Sequence, residues 1–165
     1  MQEEKYNCRD RSYSAWHRRN STRRFIGIEK AQLLAMIDLD AALYIEYDDK
    51  SKEPLALVET ARDVGQDFKN ATVTLNLAKK AGIPCYVLLY ELSSVQNPSD
   101  TRVAVCGKKF FDVERFRIKR LYPHPEKNWR TLTPQEWADG LVKLRVNTSR
   151  KVDKEWAETI IPVPP

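Results

Sequence analysis

The sequence predicts an α/β protein in which a mixed β-sheet is flanked by helices. Three observations carry this expectation. Apolar and polar side chains alternate in "DLDAALYIEYD", residues 38–48, while apolar ones crowd together in "LALVETA" and "CYVLLYEL". Between those last two runs the period changes to that of a helix, the arrangement of two strands joined by a crossover. A chain of 165 residues is enough for one compact domain with a real core.

Taken in order, Gly27 opens "IEKAQLLAM", where Ile28, Ala31, Leu34 and Ala35 recur at helical spacing and predict a helix over about 28–37. In the strand that follows, Leu39, Ala41, Leu43, Ile45 and Tyr47 share one face. "DDKSKEP" is a turn too short for a parallel crossover, so "LALVETA" should pair with this strand antiparallel. Phe68, Ala71, Leu75 and Ala78 then form an apolar stripe, and Lys79, Lys80 and Gly82 supply a cationic last turn and a stop, which predicts a helix over about 66–81. "CYVLLYEL" should lie in the sheet interior, parallel to "LALVE". "SSVQNPSDTRVAVCGKKFFD" reads as a peripheral insertion with a hairpin turn at "CGKK", and "VERFRIKRLYP" as an amphipathic strand at a sheet edge. "TPQEW" combines Thr133 as cap, Pro134 at the first helical position and Glu136 reaching back, and this helix should end near Arg145. Residues 1–148 are thus expected to form a single α/β domain, with 149–165 a tail or an arm packing through Trp156, Ile160 and Ile161.

Composition limits the function classes. No apolar run is long enough for a membrane span, and "MQEEKYNCRDR" is no secretory leader, so a cytoplasmic protein without a membrane partner is expected. Three cysteines, far apart, suggest neither a disulfide framework nor a zinc site. No glycine-rich phosphate loop occurs, and His17 and His124 lie outside any triad pattern. The net charge of +5 is concentrated in residues 9–24, which hold six arginines and one acid; the remaining chain has 22 basic and 22 acidic side chains. Interleaved with Tyr13, Trp16 and His17, the arginines suit phosphate pairing and base stacking, and Trp16, Arg18, Arg19, Arg23 and Arg24 are the candidate nucleic-acid contacts. A solvated helix face with Trp16 turned to the core is the other reading of that segment.

The acids are the chemistry-bearing residues. Asp40 begins one strand and Glu59 nearly ends its antiparallel neighbour, so the two carboxylates should meet at one end of the sheet. Two such acids, a backbone carbonyl just past Glu59 and waters are a donor set for Mg²⁺ or Mn²⁺. Taken singly, each acid also has a structural use. Glu59 could pair with Arg62 or Lys69, Asp38 and Asp40 could cap a turn, and Glu29 could complement a helix dipole.

Residues 29–92, with an aspartate at Asp40 (Asp38 the alternative), Glu59 on the next strand 19 residues later, and a helix and strand after it, resemble the PD-(D/E)XK, or restriction-endonuclease-like, superfamily. The resemblance implies a core of helix, strand, strand, helix, strand, with Asp40 and Glu59 as metal ligands, Glu29 as an additional acid and Mg²⁺ as cofactor. The family's lysine, two residues after its glutamate, is Ala61 here. Lys69, or Arg62 with the disadvantage of the opposite strand face, could supply the missing cation, with Gln66 as a polar helper. The functions implied are metal-assisted phosphodiester hydrolysis of nucleic acid, DNA in the first place, or a catalytically silent module of the same fold. Such a module would bind nucleic acid or protein, as a phage or host accessory factor does.

Overall fold

In the computed structural model of the chain, the described residues are 13, 16–17, 23–34, 36–98 and 111–160, with side chains described to Lys151. They divide into one unit of residues 1–38 and 94–112 and a second of residues 39–93 and 113–165. In the first unit, α1 (Arg23–Ile26) and α2 (Ile28–Gln32) meet at Gly27, whose φ of 80° favours glycine. The helix expected over 28–37 is therefore shorter. Its end tightens through bonds from the Leu33 and Leu34 N–H groups to the Lys30 and Ala31 carbonyls, and the Leu34 carbonyl accepts a bond from His17 Nε2 at 2.7 Å.

The second unit is built on a five-stranded mixed sheet in chain order: β1 (Ala41–Glu46), β2 (Lys52–Arg62), β3 (Cys85–Gln96), β4 (Phe111–Tyr122) and β5 (Arg130–Leu132). β1 and β2 are antiparallel, with Ala41 opposite Val58, and β2 and β3 are parallel, with Glu59 opposite Val87. The hairpin turn is held by Asp49, whose Oδ1 accepts bonds from the N–H and hydroxyl of Ser51. Residues Leu55 to Val58 are all buried, the signature of a strand covered on both sides.

Each sheet face has its own helix. On one, α3 (Thr72–Ala81) packs Leu75 and Ala78 against Leu57 and Cys85. On the other, Trp137 of α4 (Pro134–Ile160) packs against Val58, Leu88 and Ile118, and Leu144 against Ile45 and Ala56. Gly82 stops α3 in the left-handed region at φ 68°, as its place after Lys79 and Lys80 predicts.

Four further expectations are corrected. β3 continues through "SSVQ", so the strand is longer than "CYVLLYEL" and the insertion correspondingly shorter; "CGKK" lies outside the described residues. β4 is not an edge strand, because β5 pairs with it through Phe116 and Leu132. The three residues of β5 are too few to give a visible period in sequence. α4 runs past Arg145 to Ile160, taking in most of the expected tail, while residues 161–165 lie outside the described residues. α3 begins at Thr72 rather than near 66, and Phe68, expected in the apolar stripe, is 76% exposed. Side chains compete for the backbone there: Asn70 Oδ1 accepts bonds from the N–H and hydroxyl of Thr72, and Gln66 bonds to both Val64 N–H and the Arg62 carbonyl.

No described helix is long and apolar enough to cross a membrane, which leaves β-barrels unaddressed. The capping box of α4 is formed as its sequence predicts: the N–H and hydroxyl of Thr133 donate to Glu136, whose own N–H donates back to the Thr133 hydroxyl at 3.2 Å. Thr133→Ala should lower stability by about 1 kcal/mol in urea unfolding, and an unchanged midpoint would show that the cap does not hold α4.

Candidate functional site: a lysine between two carboxylates

β2 carries Leu57, Glu59 and Ala61 on the face covered by α3. Glu59 is only 3% exposed, a burial that an ionised carboxylate tolerates only with partners. It has two. Thr74 on α3, itself buried, donates its hydroxyl to Glu59 Oε1, and Lys69 donates an ammonium hydrogen to Oε2 at 2.7 Å.

The same Lys69 Nζ lies 2.7 Å from Asp40 Oδ2. Asp40 stands just before β1, one position beyond the Ala41–Val58 pair, and its Oδ2 also accepts the Thr60 N–H at 2.8 Å. Asp40, not Asp38, is thus the acid that meets Glu59. Burial pushes its carboxyl up, but bonds from Lys69 and from the Thr60 backbone outweigh it and hold Asp40 below the ordinary carboxylate value. Burial likewise pushes Lys69 down. Its bonds to Asp40 and Glu59 prevail and raise it above the ordinary lysine value. The Cys85 thiol is pushed up to about 11 by burial and by the negative charge of Glu59.

Lys69 is not on a helix, as the helical period suggests, but in the loop between β2 and α3. That loop is fastened from β4. Arg117 grips Asp63 with two bonds of 2.6 and 2.7 Å and donates a third, at 2.8 Å, to the Gln66 carbonyl. Trp129 Nε1 donates to the Asp67 carbonyl at 3.3 Å, while its ring lies under the guanidinium of Arg117. The Arg117 bond, which outweighs partial burial, holds Asp63 below its ordinary value. Gln66, expected as a helper at the acids, instead uses its side chain to shape this loop.

Other candidates are placed as follows. Ala61 shares the strand face of Glu59 and packs with Ala71, Val87 and Leu89. Arg62, exposed at the end of β2, falls on the opposite face by alternation and is not brought to the two acids. Glu29 is exposed in the first turn of α2. Trp16 is 37% exposed and lies against Tyr13 and Phe25, with Arg24 over the Phe25 ring; Arg23 is exposed, and Arg18 and Arg19 lie outside the described residues. Among the described residues no group of three or more His, Cys, Asp or Glu side chains is arranged to hold a metal ion. Asp40 and Glu59 alone converge, and they do so on the ammonium of Lys69.

Their oxygens nevertheless fit a hard divalent cation. The N–H and carbonyl of one strand residue point to the same side, so the Thr60 carbonyl shares the side on which its N–H meets Asp40, a suitable place for a third oxygen ligand. Sequence reasoning missed Thr74, Asp63, Arg117 and Trp129. Thr74 had a signal: it is a polar residue between Ala71 and Ala78 on the buried stripe of α3. Comparison of the chain with protein-family models, curated proteins and solved structures finds no match.

The ion triad sets a pH window. Asp40, depressed in the fold, stabilises above its ordinary value of 3.8, and this is lost as pH falls through its lower folded value. Lys69, raised in the fold, stabilises fully below its ordinary 10.5, and this is lost as pH rises through its higher folded value. Lys69→Met should therefore cost about 3 kcal/mol near neutrality, since it leaves Glu59 buried without its cation. The difference from wild type should shrink below pH 3.8 and above pH 10.5 in urea unfolding series. A difference independent of pH would assign Lys69 a packing role only.

Proposed function

We propose that this chain is a Mg²⁺-dependent nuclease of the PD-(D/E)XK kind, in which Lys69 supplies from the β2–α3 loop the cation that Ala61 does not supply from the strand. The observation that carries the reading is the single Nζ at 2.7 Å from both Asp40 and Glu59. A second acid on the ammonium of a buried pair supports a metal site over a simple strand-end ion pair. The element order, with β1–β2 antiparallel and β2–β3 parallel around α3, is compatible with a restriction-endonuclease-like core.

In this reading Asp40 and Glu59 hold the metal, with the Thr60 carbonyl beside them. Bound there, Mg²⁺ would polarise a phosphoryl oxygen and lower the pKa of a water. Lys69, whose ammonium already lies 2.7 Å from both acids, would serve beside them as a donor to phosphate oxygen. Thr74 and burial fix the rotamer of Glu59, and Arg117 with Asp63 fixes the loop that aims Lys69. Both give the preorganisation that a charged transition state requires. The arginines of residues 9–24 then track the nucleic-acid backbone.

Incubation of DNA with the protein and Mg²⁺ should give cleavage that chelation abolishes. Asp40→Ala, Glu59→Gln and Lys69→Ala should each lower the rate by about 100-fold or more, and Ala61→Lys should change it little. A wild type without cleavage that Ala61→Lys renders active would overturn the proposal in favour of a silent binding module.

A further inference from the structure

Beside Lys69, within the second unit, lies a cavity of about 210 Å³ lined by Phe68, Lys69, Leu75, Lys119, Leu121 and Trp129, among others. Its walls are mainly apolar, yet two cations border it and Asp67 is the acid on its rim. Phe68 is one of several exposed large apolar side chains, and it edges this cavity. A phenyl ring that helical periodicity would bury is 76% exposed at this cavity, held out by a loop whose backbone is fastened by Arg117 and Trp129. An aromatic ring at the edge of a cavity presents a face on which a planar ligand can stack.

The geometry points to a pocket for one unpaired nucleobase, stacked on Phe68, with the adjoining phosphate at Lys119. This rests on the nuclease reading and narrows its substrate to nucleic acid with at least one unpaired nucleotide at the site. The volume, below the roughly 300 Å³ of a pocket for a drug-sized ligand, suits one ring system. A base within a duplex is stacked on its neighbours and cannot enter, so the pocket discriminates by pairing state. Lys69 lines the cavity and also bonds Asp40 and Glu59, which puts the base beside the carboxylates rather than at a remote surface. The side chain of Lys119 lies 5.8 Å from the Trp129 ring centroid, on the wall of the same cavity.

Binding should be measured by fluorescence anisotropy on the full chain, in a chelator so that no cleavage intervenes, with a 12-nucleotide single-stranded DNA and its duplex as probes. Phe68→Ala should weaken the single strand by at least about fivefold, Phe68→Tyr should restore it, and duplex binding should move less than twofold. Phe68 is exposed, so its removal leaves the core intact. Equal losses for both probes, no loss for either, or no single-strand binding by the wild type would each overturn the pocket. Cleavage by a protein whose Phe68→Ala variant binds normally would sink the pocket alone; a Phe68-dependent single-strand preference without cleavage would sink the nuclease reading alone.

Discussion

The ammonium of Lys69 between Asp40 and Glu59 is the interaction on which the rest of this site depends. Glu59 is buried at 3% exposure, where a carboxylate needs a partner, and Asp40 just before β1 brings a second acid to the same place. One lysine answers both. Its position depends in turn on the 63–70 loop keeping its shape, and that shape depends on Arg117, which ties Asp63 and the Gln66 carbonyl to β4. A charge at the end of β2 is thereby linked to a strand on the far side of β3.

The direction from which the cation arrives matters as much as its identity. Ala61 packs into a tight group with Ala71, Val87 and Leu89, two of them on β3. Bringing the amine in from the loop leaves the strand face dry. It also leaves Glu59 one oxygen for Thr74 and one for the cation, so both are used.

Much of this was legible in the sequence because local rules agreed with the fold. The alternation through Leu43 and Ile45, the all-apolar "LALV" and the Gly82 stop each reported one physical requirement, and the structure meets them. The acids could be paired because a short hairpin fixes which ends of two strands are neighbours. What failed was the stretch where side chains bond the backbone. Period alone makes residues 66–71 a helix, whereas Asp63, Gln66 and Asn70 bond backbone groups on either side of that stretch, at Arg62, Val64, Gly65 and Thr72. Arg117 was visible only as one of several basic residues on an amphipathic strand, since nothing local ties it to an aspartate 54 positions earlier. β5 was invisible for a similar reason, being short and defined by its partner.

The proposed function rests on electrostatics: two acids, one cation, and an aromatic-edged cavity reached by the same lysine. The most direct measurement of the central claim is a double-mutant cycle at pH 7 on Lys69→Met and Glu59→Gln, read from urea unfolding. A coupling energy of about 2 kcal/mol or more, above the ~1 kcal/mol ceiling usual for exposed pairs, is the predicted result. Coupling near zero would contradict it, since the two side chains would then contribute to stability independently.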